Sequence, residues 1–190
     1  MTTASNPSTS PSTAAASSST GTVPTREQAD LLETLAKHRH FLRFTVRDLT
    51  DEQVALTPTA SALCLGGLIK HVTAMEQGWV DFLLEGPAVM EFTGDPAQFE
   101  EHAAQFRVRP GETLASILAE YERVTERTDD VIRSTDDFDR SHPLPTAPWF
   151  EPGAEWSTRR VFLHLIAETS QHAGHADIIR ETIDGAKTMG

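Results

Sequence analysis

The stretch that decides the fold is WSTRRVFLHLIAETSQHAGHADIIRETIDG, from Trp156 to Gly185. Ser157 stands where a helix N-cap belongs, with Trp156 and Val161 spaced to form a hydrophobic staple across it. Gly185 sits where a left-handed residue would end the helix. Between these signals, His164, Glu168, His172 and His175 fall within an arc of about 80° at 100° per residue. Glu168 and His172 are one turn apart, so their tips can converge on one point. Such a pair can give two ligands to a single divalent ion. Burying four ionisable groups on one face without partners would cost on the order of several kcal/mol. A metal site, an exposed polar groove and a hydrogen-bonded network would each relieve that cost, and the metal site ranks first.

A third ligand must come from a neighbouring helix, and His71 is the candidate. It lies in the middle of a helical pattern from about Leu63 to Leu84, marked by Leu68, Val72, Met75, Trp79 and Phe82 and stopped by Gly86-Pro87. Its position beside the apolar stripe aims it at the interior of a bundle. Two imidazoles and one carboxylate leave positions open for water or substrate, which is the composition of a reactive rather than a structural metal site.

Two further long helices complete the set. The first starts at Thr25, with Gln28 at capping-box spacing, and carries Leu31, Leu35, Leu42, Thr45 and Leu49 to an end near Thr50-Asp51. The third opens at Gly111-Glu112-Thr113 and carries Leu114, Ile117, Leu118, Tyr121, Thr125, Thr128 and Ile132. Between the second and third runs a long connection, Gly86 to Pro110, with a short helix expected at Asp95-Pro96. A proline-rich loop from Asp136 to Glu155 precedes the fourth helix. No run alternates as a strand would. The pattern predicts an all-α four-helix bundle with a long crossover between helices two and three.

The rest of the chain narrows the function. Residues 1–22 are almost entirely Ser, Thr, Ala, Pro, Asn and Gly, a composition expected to give a disordered tail ahead of a helical domain at 23–190. That opening has neither the basic start nor the apolar run of a secretory signal, and no later stretch has the roughly 18 apolar residues of a membrane span. A cytoplasmic protein is expected. The net charge of −12 and the dispersed arginines disfavour nucleic acid. Cys64, the lone cysteine, excludes an internal disulfide and a multi-cysteine zinc cage. It lies two turns before His71, about 10 Å along a helix, so it reads as a small core residue. His38 reads as a hydrogen-bonded core or boundary residue within the first stripe, and His40, His102 and His142 as surface or loop residues. Trp79 reads as core, and Trp149 as a loop residue able to cover a pocket.

The segments LCLGGLIKHVTAMEQGW (Leu63 to Trp79) and Trp156 to Gly185, with Pro110-Gly111-Glu112-Thr113-Leu114 between them, resemble the DinB-like superfamily. The resemblance is nearest to its actinobacterial branch, related to mycothiol-dependent maleylpyruvate isomerases. It implies a four-helix bundle with a divalent metal, zinc first and nickel or iron next, on His71, Glu168 and His172. Glu at 168, where many members carry His, points towards the thiol-dependent branch. The resemblance also implies a homodimer. His175 stands where many members carry Gln.

Two functions follow as expectations. One is a metal-dependent S-transferase or isomerase that uses mycothiol or a similar low-molecular-weight thiol on a small electrophile, with His175 or His164 moving protons or orienting a ligand. The other is a stress-related protein that binds a metal or small ligand without turnover.

Overall fold

The structure, a computed structural model, describes residues 1–2 and 23–188. Nearly all of the Ser/Thr/Ala-rich tail therefore lies outside the described residues. Helix α1 (Arg26–Phe44) starts on the expected capping box, in which Thr25 and Gln28 each satisfy the other's backbone N–H. It stops earlier than the apolar stripe suggests. A turn follows, with Asp48 in the left-handed region (φ 59°), and Thr50 then caps a separate short helix α2 (Asp51–Val54) through a second capping box. Leu49 thus belongs to the connection rather than to α1.

Helix α3 (Leu65–Glu85) is capped by Cys64, whose sulfur accepts the Gly67 N–H at 3.4 Å, and is stopped at Gly86. The crossover contains a 3-10 turn (Pro87–Met90) and α4 (Pro96–Ala104), started by Asp95 and Pro96 as expected. Helix α5 (Leu114–Ser134) begins at its N-cap Thr113. Helix α6 (Thr158–Asp184) runs from Ser157 to a left-handed Gly185 at φ 77°. The four long helices contact one another in the cyclic order α1, α6, α3, α5. The all-α bundle with its crossover is as the sequence predicts, with one addition. Two three-residue strands, β1 (Ser141–Pro143) and β2 (Glu155–Ser157), pair antiparallel with His142 opposite Trp156. They are too short to display an alternating pattern, which is why the sequence hides them.

The apolar interior has two parts. One gathers Leu42, Val54, Leu65, Leu68, Ile69, Val72, Ile117 and Ala176. The other gathers Leu31, Leu35, Trp79, Phe82, Ile132, Phe162 and Leu165. Buried polar groups on α3 interrupt this interior, among them His71 and Glu76.

One close approach fixes the crossover. A Cβ at Gly67 would lie 2.0 Å from the Phe106 carbonyl oxygen, and one at Gly66 would lie 2.6 Å from a Val108 methyl. Only glycine lets the chain after α4 pass so near α3. That passage brings Gln105 and Phe106 over the next turn of α3, where His71 stands.

Candidate metal centre

His71 is 8 % exposed and clamped by the crossover. The Phe106 ring stacks on it at 4.0 Å, and His102 meets it edge-on at 5.8 Å. Its Nδ1–H donates to Gln105 Oε1 at 3.4 Å, since an amide oxygen can only accept, and this leaves Nε2 free. From α6, the His172 ring stands edge-on to His71 at 4.8 Å between centroids. His172 Nε2 lies 3.6 Å from Glu168 Oε2, too far for a hydrogen bond, while its Nδ1 faces His175 Nδ1 at 3.4 Å. One ligand atom from each of His71, Glu168 and His172 lies within 4.8 Å of the others, a group able to hold a metal ion. The three residues named from the sequence are brought together.

Electrostatics keep the imidazoles neutral. Burial pushes His71 down to about 4, and the neighbouring His172 adds to the effect, while Gln105 opposes it. Burial also lowers His172 and His164, opposed in each case by the Glu168 carboxylate. A neutral imidazole offers a lone pair, and an imidazolium does not.

A cavity of about 660 Å³ opens beside the cluster, with His71 in its wall. His164 also lines it, set edge-on against both Trp79 and Trp156, each 5.1 Å away. Trp149, a loop tryptophan with covering a pocket as its alternative reading, lines this one, and its ring meets Phe92 at 4.8 Å. Trp156 belongs to the same core cluster as Val161, its staple partner, and also stacks flat on Trp79 at 4.6 Å.

Several expectations need correction. His102 is exposed, as expected, but α4 also sets it against His71 and the cavity. His142, expected at the surface or in a loop, is buried in β1 instead. It is 8 % exposed, and its Nε2 lies 3.1 Å from Thr158 Oγ1. Of the two buried polar residues of α1, Gln28 lies in the first turn, and Arg39, one position after His38, continues the four-residue step of Leu31 and Leu35. Arg39 forms a buried ion pair with Glu76 and a second pair with Asp129 at 2.7 Å. His38 lies partly exposed near Phe41, away from the cluster. Sequence reasoning also missed Gln105 and Phe106. The adjacent glycines 66 and 67, one turn before His71, were the available sign that another backbone passes there.

The sequence pattern of the family described as Mycothiol-S-transferase matches residues 30–185. The chain belongs to that family. Membership in the mycothiol-S-transferases, a DinB-like family, accords with the helix-two histidine and the one-turn pair on α6. Among solved structures, a conserved protein from Enterococcus faecalis shares the fold with a TM-score of 0.61. It is 12 % identical, and the match covers 85 % of this chain and 99 % of that one. No curated protein matches the chain. Among the described residues, no helix is long and apolar enough to cross a membrane.

Proposed function

We propose that this protein transfers a low-molecular-weight thiol of the mycothiol type to a small electrophile, with a divalent metal held by His71, Glu168 and His172. The observation that carries the reading is the convergence of those three ligand atoms within 4.8 Å beside a cavity. Family membership supports the choice of thiol.

The residues fit a metal. Two imidazoles kept neutral by burial face one carboxylate, and the nearest Glu168–His172 approach, 3.6 Å, satisfies neither side chain. Zinc suits this set, and nickel or iron accepts the same donors. A bound divalent ion would supply positive charge that favours a thiolate over a thiol at neutral pH.

The chain's own residues do the rest. Gln105 fixes the tautomer and orientation of His71, and His175 positions His172 from its other ring nitrogen. His164 lines the cavity and is held below its ordinary pKa by burial, so it is unprotonated and able to accept the thiol proton. The sulfur electron pair then forms a carbon–sulfur bond, and the leaving group departs with the electron pair of the bond that breaks. At an activated double bond, the carbon next to the one attacked takes up the proton instead. A cytoplasmic setting goes with this chemistry, because low-molecular-weight thiols are kept reduced there.

The test uses tag-free full-length protein loaded with zinc, mycothiol and a chromogenic electrophile. Conjugation should appear, vanish on chelation, and be lost in His172→Ala. Zinc bound at one per chain without any conjugation across an electrophile panel would overturn the transferase reading and leave a non-catalytic binder.

A further inference from the structure

The cavity beside the cluster has a wall chemistry that selects its occupant. One side is built from the bundle, where Trp79 and Trp156 stack flat at 4.6 Å with an interplanar angle of 9°. The other side comes from the crossover and the proline-rich loop, where Phe92 meets Phe99 at 5.1 Å and Trp149 at 4.8 Å. Trp149 and Phe99 are 61 % and 57 % exposed, so large apolar rings stand open at the cavity's edge. Among the described residues, no lysine or arginine lines the cavity, and its one carboxylate is Glu91. The nearby Arg160 guanidinium lies 4.3 Å from the centre of the Trp156 ring and does not line the space.

We propose that this cavity receives a neutral, flat, electron-poor ring, such as a nitroarene or a quinone, and discriminates against small carboxylates. The proposal rests on the thiol-transfer reading for what happens to that ring, but the binding preference stands on the walls alone. Trp79 and Trp156 turn their faces to each other, so the indole open to a guest is Trp149, whose electron-rich ring favours an electron-poor one stacked or set edge-on against it. In the metal-free protein a carboxylate drawn into the same walls loses its water and meets no lysine or arginine, while Glu91 repels it. The volume of about 660 Å³ suits a one- or two-ring molecule together with the reactive end of a thiol.

The experiment uses two unreactive probes of nearly equal shape, 1,3-dinitrobenzene and 3,5-dinitrobenzoate. The chain's three tryptophans, Trp79, Trp149 and Trp156, all line the cavity, so quenching of intrinsic fluorescence reports on it directly. Full-length protein is titrated with each probe, metal-free and zinc-loaded, and Kd is checked by equilibrium dialysis. Saturable binding of dinitrobenzene is expected, with dinitrobenzoate weaker by about tenfold or more in the metal-free protein. Trp149→Ala and Phe99→Ala, both at exposed positions, should each weaken dinitrobenzene severalfold without lowering Tm. Equal or tighter binding of dinitrobenzoate to the metal-free protein, purely linear quenching, or unchanged Kd in both variants would overturn the proposal. Saturable, selective binding in a protein that holds no metal would support the cavity assignment while defeating the transfer reading. Metal bound at one per chain without saturable probe binding would defeat the cavity assignment alone.

Discussion

Two polar clusters share helix α3, and they are built in opposite ways. Around Glu76, which is fully buried, the charges are closed upon themselves: Arg39 pairs with it from α1 and reaches Asp129 on α5. Around His71, five residues earlier, the side chains converge without satisfying one another. Two neutral imidazoles and a part-exposed carboxylate point at a common space, and the nearest contact among them is longer than a hydrogen bond. The first arrangement compensates buried charge within the protein. The second leaves donors aimed at something that is not protein. Burial of ionisable groups alone does not mark a functional site; buried groups that fail to neutralise one another do.

This contrast is open to direct attack. Arg39→Met strands Glu76, which is 0 % exposed, and should destabilise the protein by about 3–5 kcal/mol in urea unfolding. Replacing Glu76 by Leu in the same chain should recover much of that loss, because the unpaired charge is gone. A cost under about 1 kcal/mol for the single variant would mean that the ion pair is not the structural cluster it is taken to be.

The crossover is the next point of leverage. Gly67→Ala places a methyl 2.0 Å from the Phe106 carbonyl oxygen, so the backbone after α4 must move. The expected cost is about 1–3 kcal/mol in stability. Metal affinity should fall with it, since Gln105 and Phe106 withdraw from His71. Unchanged affinity with lowered stability would show that the crossover does not position the imidazole.

Gln105→Ala touches only the outer partner of His71. Metal affinity should drop about tenfold with Tm nearly unchanged, as isothermal titration and thermal unfolding would record. A loss as large as that of a direct ligand would require the roles of Gln105 and His71 to be reassigned.

The smallest effect concerns His142. Burial, with Arg140 nearby, holds its imidazole below the ordinary 6.5. The unfolded chain therefore takes up a proton near 6.5 before the folded one does, and stability falls as pH drops through that window. NMR titration should place this imidazole below 6.5, and His142→Gln should show a shallower loss of stability between pH 7 and 5.5. A titration at or above 6.5 would contradict its buried placement against Thr158.

The difference between the clusters also explains what could be read in advance. Glu168 and His172 were legible because one helix carries both, and helical periodicity relates residues a turn apart without any tertiary knowledge. His71 was legible because a histidine beside an apolar stripe has to face the interior. Arg39 was not, because the stripe was read through His38, and one residue of phase decides which side chain points inward. Gln105, Phe106 and His102 reach the site through a crossover whose path depends on a glycine contact with α3, and no periodic pattern encodes such a path. The paired strands 141–143 and 155–157 were hidden for a related reason: three residues make no pattern.

The central claim is that His71, Glu168 and His172 form one metal site, and the most direct test is metal content measured on tag-free protein. Wild type and the variants His71→Ala, Glu168→Ala and His172→Ala would be dialysed against zinc and compared with His38→Ala. The account predicts about one zinc per chain in wild type and in His38→Ala, and an affinity lowered roughly a hundredfold or more in each ligand variant, beyond the loss expected for an outer partner. Equal zinc content in wild type and all three ligand variants would contradict it.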